Sequence, residues 1–91
     1  MNDKARSLLK AARRELNRRK FKKAVKYMND AVEADPASHE LLQKRAEMAL
    51  SPLRNYRDAV DDMGRAIEMA PDTGDYYDLR GQAYWLSLIH I

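Results

Sequence analysis

A chain of 91 residues, 45% hydrophobic and 34% charged, has the size and mixture of one small ordered domain or a piece of a longer array, not of a disordered segment. With no cysteine, three glycines and three prolines, it excludes disulfide staples and thiolate metal sites and leaves little material for β-turns. The net charge of +3 hides an asymmetry: residues 1–26 hold eleven Lys/Arg against Asp3 and Glu15, while the remainder holds six against twelve acidic residues.

Asn2 or Asp3 is placed to cap a first helix over residues 3–17, where Ala5, Leu8, Leu9, Ala12 and Leu16 share one apolar face. Arg18-Arg19-Lys20 is the turn. A second helix, residues 21–34, turns Phe21, Ala24, Val25, Met28, Ala31 and Val32 inward, and Asp35-Pro36 stops it because the residue before proline is driven out of the α region. Ser38 is the next cap, opening a third helix over residues 39–50 that buries Leu42, the Arg45 stem, Ala46 and Ala49. After a turn at residues 51–55, a fourth helix covers residues 56–70 and ends at Pro71. Asp72 or Thr73 then caps a fifth, residues 74–86 or beyond. No alternating strand pattern competes with these assignments.

The second and fourth helices say the same thing twice. FKKAVKYMNDAVEADP at residues 21–36 returns as YRDAVDDMGRAIEMAP at residues 56–71, with Phe21/Tyr56, Ala24/Ala59, Ala31/Ala66 and Pro36/Pro71 all 35 apart. The first members also align, through Ala12, Ala46 and Gly81, and the one-residue difference falls in the turn at residues 51–55. Small residues at these places allow two antiparallel helices to approach to the short end of the roughly 8–10 Å range. A single hairpin cannot cover its own outer face, so such hairpins stack. The expected fold is all-α, a right-handed superhelical stack of antiparallel helix pairs with five helices and no sheet.

These residues resemble the tetratricopeptide repeat (TPR) family: the period, Ala/Gly at Ala12, Ala46 and Gly81, the aromatics Phe21 and Tyr56, the alanines Ala24, Ala59, Ala31 and Ala66, and the closing Pro36 and Pro71. The resemblance covers two full repeats, about 5–38 and 39–73, and the first helix of a third, about 74–87; the tail at residues 88–91 is atypical. Leu8 and Leu42 stand where the family prefers Trp, and Glu15 and Ala49 where it prefers Tyr. The resemblance implies a non-catalytic scaffold that binds a peptide or protein segment in a concave groove lined by the first helices, with a co-chaperone role among its implications.

The family's carboxylate clamp, which holds acidic chaperone tails, would fall at Leu9, Arg13, Lys44, Asp75 and Leu79. Only Arg13 and Lys44 are basic there and Asp75 would repel a carboxylate, so a standard clamp is not expected. The groove positions carried over are Arg6, Leu9, Arg13, Leu16 and Asn17, then Glu40, Gln43, Lys44, Glu47 and Ser51, then Asp75, Asp78, Gln82 and Trp85. Read across, they run from basic to acidic, with Leu9 and Trp85 as apolar contacts, and suit a segment with an acidic and then a basic part. The opposing expectation is that these charges only solvate a concave face.

Other signals are weaker. The basic cluster Arg13 to Lys26 suggests RNA or an anionic surface as an alternative, but it has no aromatic stacking platform. His39 and His90 lack ligands at metal spacing, no cofactor motif is present, and Asp61-Asp62 is read as a solvated helix face. The methionines are read as core fill. Nothing pairs a nucleophile with a base, so no enzyme is expected. No apolar run approaches the roughly 18 residues of a membrane span, and the N-terminus has no apolar signal core, which together with the missing cysteines suggests a cytoplasmic setting. The increasingly apolar end, residues 84–91, points to self-association or to an oligomerisation segment of a larger repeat protein.

Overall fold

The computed structural model describes residues 1–89. Five helices follow in order: α1 (Asp3–Asn17), α2 (Phe21–Ala34), α3 (His39–Leu50), α4 (Tyr56–Met69) and α5 (Gly74–Ile89). No strand occurs among the described residues. The chain divides into two compact units, Met1–Leu41 and a second from Leu42 onward, with the boundary inside α3.

The first unit is the α1–α2 hairpin. Asn2 starts α1: its Oδ1 accepts the Ala5 N–H at 2.8 Å, and its Nδ2 donates to the Ala34 carbonyl at 2.8 Å. Its own N–H donates to Asp35 Oδ2 at 2.9 Å. One residue thus caps a helix and ties its start to the end of α2. At the other end, Arg19 takes the left-handed conformation (φ 61°), so that Lys20 N–H donates to the Glu15 carbonyl and Arg19 N–H to that of Leu16. This is the Schellman closure, which glycine usually makes. Ala5, Ala12, Ala24 and Ala31 have no exposed surface, and Leu9, Met28 and Val32 are buried with them.

In the second unit α4 repeats α2 down to its ends. The residue before each helix has nearly the same backbone (Lys20 φ −93°, ψ 76°; Asn55 φ −96°, ψ 75°), as does the one after it (Asp35 φ −146°, ψ 72°; Ala70 φ −140°, ψ 72°). Arg54 is left-handed like Arg19, with φ 58°. The turns past the prolines match too: Ser38 N–H donates to Asp35 O, and Thr73 N–H to Ala70 O. Ser38 Oγ accepts the Leu41 N–H at 3.4 Å at the start of α3, as its cap position requires. Ala46, Ala59, Met63 and Ala66 have no exposed surface, and α5 adds Tyr76 and Ala83 to this core.

Two expectations are corrected. Asp62 is not on a solvated face: it is buried, and it bonds to Arg45. Met69 does not fill the core; it lies exposed at the end of α4. Gly81, in register with the buried Ala12 and Ala46, is exposed and meets nothing within 4 Å of where a Cβ would stand. The helix that would cover it, as α2 covers α1, has no counterpart among the described residues. The end of α5 continues helical to Ile89, and His90 and Ile91 lie outside the described residues.

Candidate functional site

On α1, the positions 6, 13 and 17 fall seven and four residues apart and so share one side of the helix. Arg6, Arg13 and Asn17 are all exposed there. Arg6 bonds at its own helix start, donating to the Met1 carbonyl at 3.3 Å and lying 3.9 Å from Asp3. Leu9, expected as an apolar contact on this row, is instead buried at 7% exposure. It faces the core because α1 needs Ala5, Leu9 and Ala12 on one continuous stripe. Leu16 is half-buried.

All eleven lysines and arginines of residues 1–26 are exposed. Their field is partly answered by Glu15, which approaches Arg18 at 3.4 Å and Arg14 at 3.7 Å through Oε1. Glu15 is itself buried, and its Oε2 has no hydrogen-bond partner. The sequence reading missed that burial, although position 15 aligns with Ala49 and Tyr84, neither of them acidic.

Along α3, Glu40 is exposed, Gln43 and Lys44 are half-buried and Glu47 is exposed, as is Ser51 just past the helix end. Lys44 Nζ lies 3.6 Å from Glu47 Oε1, one turn on, so this row is largely neutralised within itself. On α5, Asp75, Asp78, Gln82 and Trp85 are all exposed, at three- and four-residue spacing along one side. Trp85 has 62% of its surface in solvent. Each row therefore exists on its own helix: basic on α1, mixed on α3, acidic with one indole on α5.

The Arg45–Asp62 pair is the strongest electrostatic feature of the second unit. Arg45 Nε donates to Asp62 Oδ2 at 2.8 Å, and a terminal guanidinium nitrogen to Oδ1 at 2.7 Å. The hydrogen bond to Asp62 raises the Arg45 pKa, against the desolvation that lowers it. The two groups bond to each other, so the pair joins α3 to α4. Its sequence signal was a coupled change: Ala11 and Tyr27 stand at these two places in the first unit, and both are replaced in the second. Among the described residues no three His, Cys, Asp or Glu gather as a metal site. No helix among them is long and apolar enough to cross a membrane.

Comparison with known proteins decides the family. Residues 5–48 match the model of the tetratricopeptide repeat, and they span the first helix pair and most of α3. The chain belongs to the tetratricopeptide repeat family. The TPR chain is 32% identical over 65 residues to an Hsp70-Hsp90 organizing protein of Triticum aestivum, and 38% identical over 63 residues to a protein SGT1 homolog of Oryza sativa subsp. japonica. These alignments cover 71% and 69% of the chain but only 11% and 17% of the two relatives. The TPR fold is a non-catalytic protein-interaction fold.

Proposed function

We propose that the chain is a non-catalytic TPR scaffold that holds a protein segment against the exposed sides of its first helices. The observation that carries this reading is the exposed row Arg6, Arg13 and Asn17 on α1, two guanidinium groups and an amide on one side of the helix. Exposed guanidinium groups at fixed helical spacing select a carboxylate-bearing segment by charge and steer its approach. Asp75, Asp78 and Trp85 on α5 supply the opposite preference, for a basic stretch with an apolar anchor. Taken each by itself, the α1 row suits an acidic segment and the α5 row a basic one.

The name of the wheat relative, an organizing protein for Hsp70 and Hsp90, supports a co-chaperone role for this chain. The clamp expected of such a role does not transfer residue by residue. Leu9 is buried, Lys44 is turned toward Glu47, and Asp75 is an acid where a cation would be needed. The proposed segment is therefore recognised mainly by Arg6 and Arg13.

Binding of an acidic-then-basic peptide to the chain and to Arg6→Glu/Arg13→Glu tests the proposal. Loss of affinity on charge reversal supports it. Unchanged affinity removes the α1 row as the site. Tighter binding of an RNA oligonucleotide, with a steep salt dependence, would transfer the basic surface to a nucleic-acid partner instead.

A further inference from the structure

The turn between α3 and α4 carries more than its hairpin needs. In the first unit the chain passes from α1 to α2 through Arg18, Arg19 and Lys20, with Arg19 left-handed at φ 61°. In the second unit Ser51-Pro52-Leu53-Arg54-Asn55 joins α3 to α4, and Arg54, at φ 58°, is the counterpart of Arg19. Lys20 and Asn55 then lead into their helices with nearly the same backbone. Between Asn17 and Arg19 stands Arg18 alone; between Ser51 and Arg54 stand Pro52 and Leu53. The same closure is therefore made in the first unit without the proline.

Ser51 is the one serine, threonine or tyrosine of the chain that a proline follows, and Arg54 stands three residues beyond it. Ser51, Pro52 and Arg54 are all exposed. The Ser51 N–H donates to the Glu47 carbonyl at 3.1 Å, at the end of the helix, where such bonds open at least cost. The other serines are placed differently: Ser7 and Ser87 lie within helices, and Ser38 Oγ caps α3. Proline after an acceptor fixes the backbone and presents no N–H. A cleft that receives it without a hydrogen-bond partner disfavours other residues, whose N–H would be left unsatisfied. A guanidinium three residues on suits an acidic pocket in the same cleft.

We propose that Ser51 is a phosphorylation site for a proline-directed protein kinase, and that its phosphate is a charge switch at the end of the α3 row. In the transfer, Ser51 Oγ bonds to the γ-phosphorus of ATP and the bond from that phosphorus to the β–γ bridging oxygen breaks. ADP leaves, and the hydroxyl proton passes to the catalytic base of the kinase. Before the transfer the row is largely neutralised, with Lys44 3.6 Å from Glu47. The phosphate adds a charge of about −1.5 to −2, one turn past Glu47 and beyond a helix end with no basic residue in its last turn. Arg54, the nearest cation in sequence, offsets part of it. The α3 row then favours a basic segment. This consequence rests on the reading of the first helices as a binding surface; the modification itself does not.

The full chain is incubated with a purified cyclin-dependent kinase and ATP, and the phosphate is located by mass spectrometry. One phosphate on Ser51 is expected, with Pro52→Ala and Arg54→Asn each slowing its incorporation by about tenfold or more. Both replacements are at exposed positions, and asparagine suits the left-handed backbone of Arg54. Circular dichroism verifies that both variants keep the helix content of the parent. A chain that takes no phosphate, a phosphate placed elsewhere instead, or a rate indifferent to Pro52→Ala overturns the site.

The switch is read from the anisotropy of a labelled hexalysine peptide. At low salt the phosphorylated chain is expected to bind it about tenfold more tightly than the untreated chain, and a phosphatase should restore the first value. Equal affinity before and after phosphorylation overturns the switch, whether or not Ser51 accepts the phosphate. The segment-binding reading fails separately, on Arg6 and Arg13 of the untreated chain.

Discussion

Arg45 on α3 and Asp62 on α4 face each other through two parallel hydrogen bonds of 2.8 and 2.7 Å, with the carboxylate almost wholly out of solvent. Such a fork-to-fork pair is directional as well as charged. Removing one partner strands the other in a dry site, whereas replacing both by apolar side chains avoids the desolvation altogether. The arginine retains about a quarter of its side-chain surface in water, which softens the first penalty.

Asp62→Ala is accordingly expected to destabilise the chain by about 2–3 kcal/mol, and Arg45→Met/Asp62→Leu to recover most of that. Urea unfolding of Arg45→Met, Asp62→Leu and the double variant gives the coupling directly. Arg45→Lys keeps the charge and loses the fork, at a cost of about 1 kcal/mol. Because the Arg45 pKa is raised, its contribution is fully present below the ordinary guanidinium pKa. It is lost only as pH climbs past the raised value, so the arginine adds no pH dependence to stability between about pH 5 and 9.

Glu15 presents the opposite case. Its Oε1 has two arginines nearby, but both are more than half exposed, and its buried Oε2 has no partner. The desolvation cost of that oxygen is not returned. Glu15→Met should stabilise the chain by about 1 kcal/mol, which raises the thermal midpoint by about 4–8 °C. A lower midpoint would mean that the two arginine contacts outweigh the orphaned oxygen.

Arg19 closes α1 in a conformation that costs a side-chain-bearing residue about 1–2 kcal/mol. Its stacking over Phe21, 5.8 Å to the ring centre, returns up to about 0.5–1 kcal/mol at an exposed site. Arg19→Gly should therefore gain about 0.5 kcal/mol, net of the added freedom of the unfolded chain. Arg19→Val, with a branched Cβ at the same φ, should lose more than 1 kcal/mol.

The same repeat position gives opposite signs in different units. Ala12 is wholly buried, so Ala12→Leu overfills the α1–α2 contact and should cost about 1–3 kcal/mol. Gly81 lies in α5 with open space where a Cβ would stand. Gly81→Ala should stabilise by about 0.5–1 kcal/mol through helix propensity alone. Thermal unfolding of both variants checks the pair.

The helices were legible because their signals are local. Period, capping side chains and the two X-Pro stops set the bounds of α1 to α4 to within a residue, and the alanine register located the core. What stayed hidden depends on pairs of residues on different helices. Asp62 reads as a surface acid until Arg45 is seen opposite it, and the only trace in the sequence is that both positions differ from Ala11 and Tyr27. Leu9 reads equally well as core or groove, since it sits at the edge of the apolar stripe of α1; only packing assigns it to the core. Gly81 follows the repeat in residue type but not in burial, because its environment depends on a covering helix rather than on its own neighbours in sequence.

The proposal that the chain holds a protein segment along its first helices is tested most directly by one titration. An acidic-then-basic peptide, labelled for fluorescence anisotropy, is added to the chain and to Arg6→Glu/Arg13→Glu, two exposed replacements that leave the core untouched. The account predicts saturable binding to the unmodified chain and an affinity lower by about tenfold or more for the variant. Equal affinity for the two proteins would contradict it.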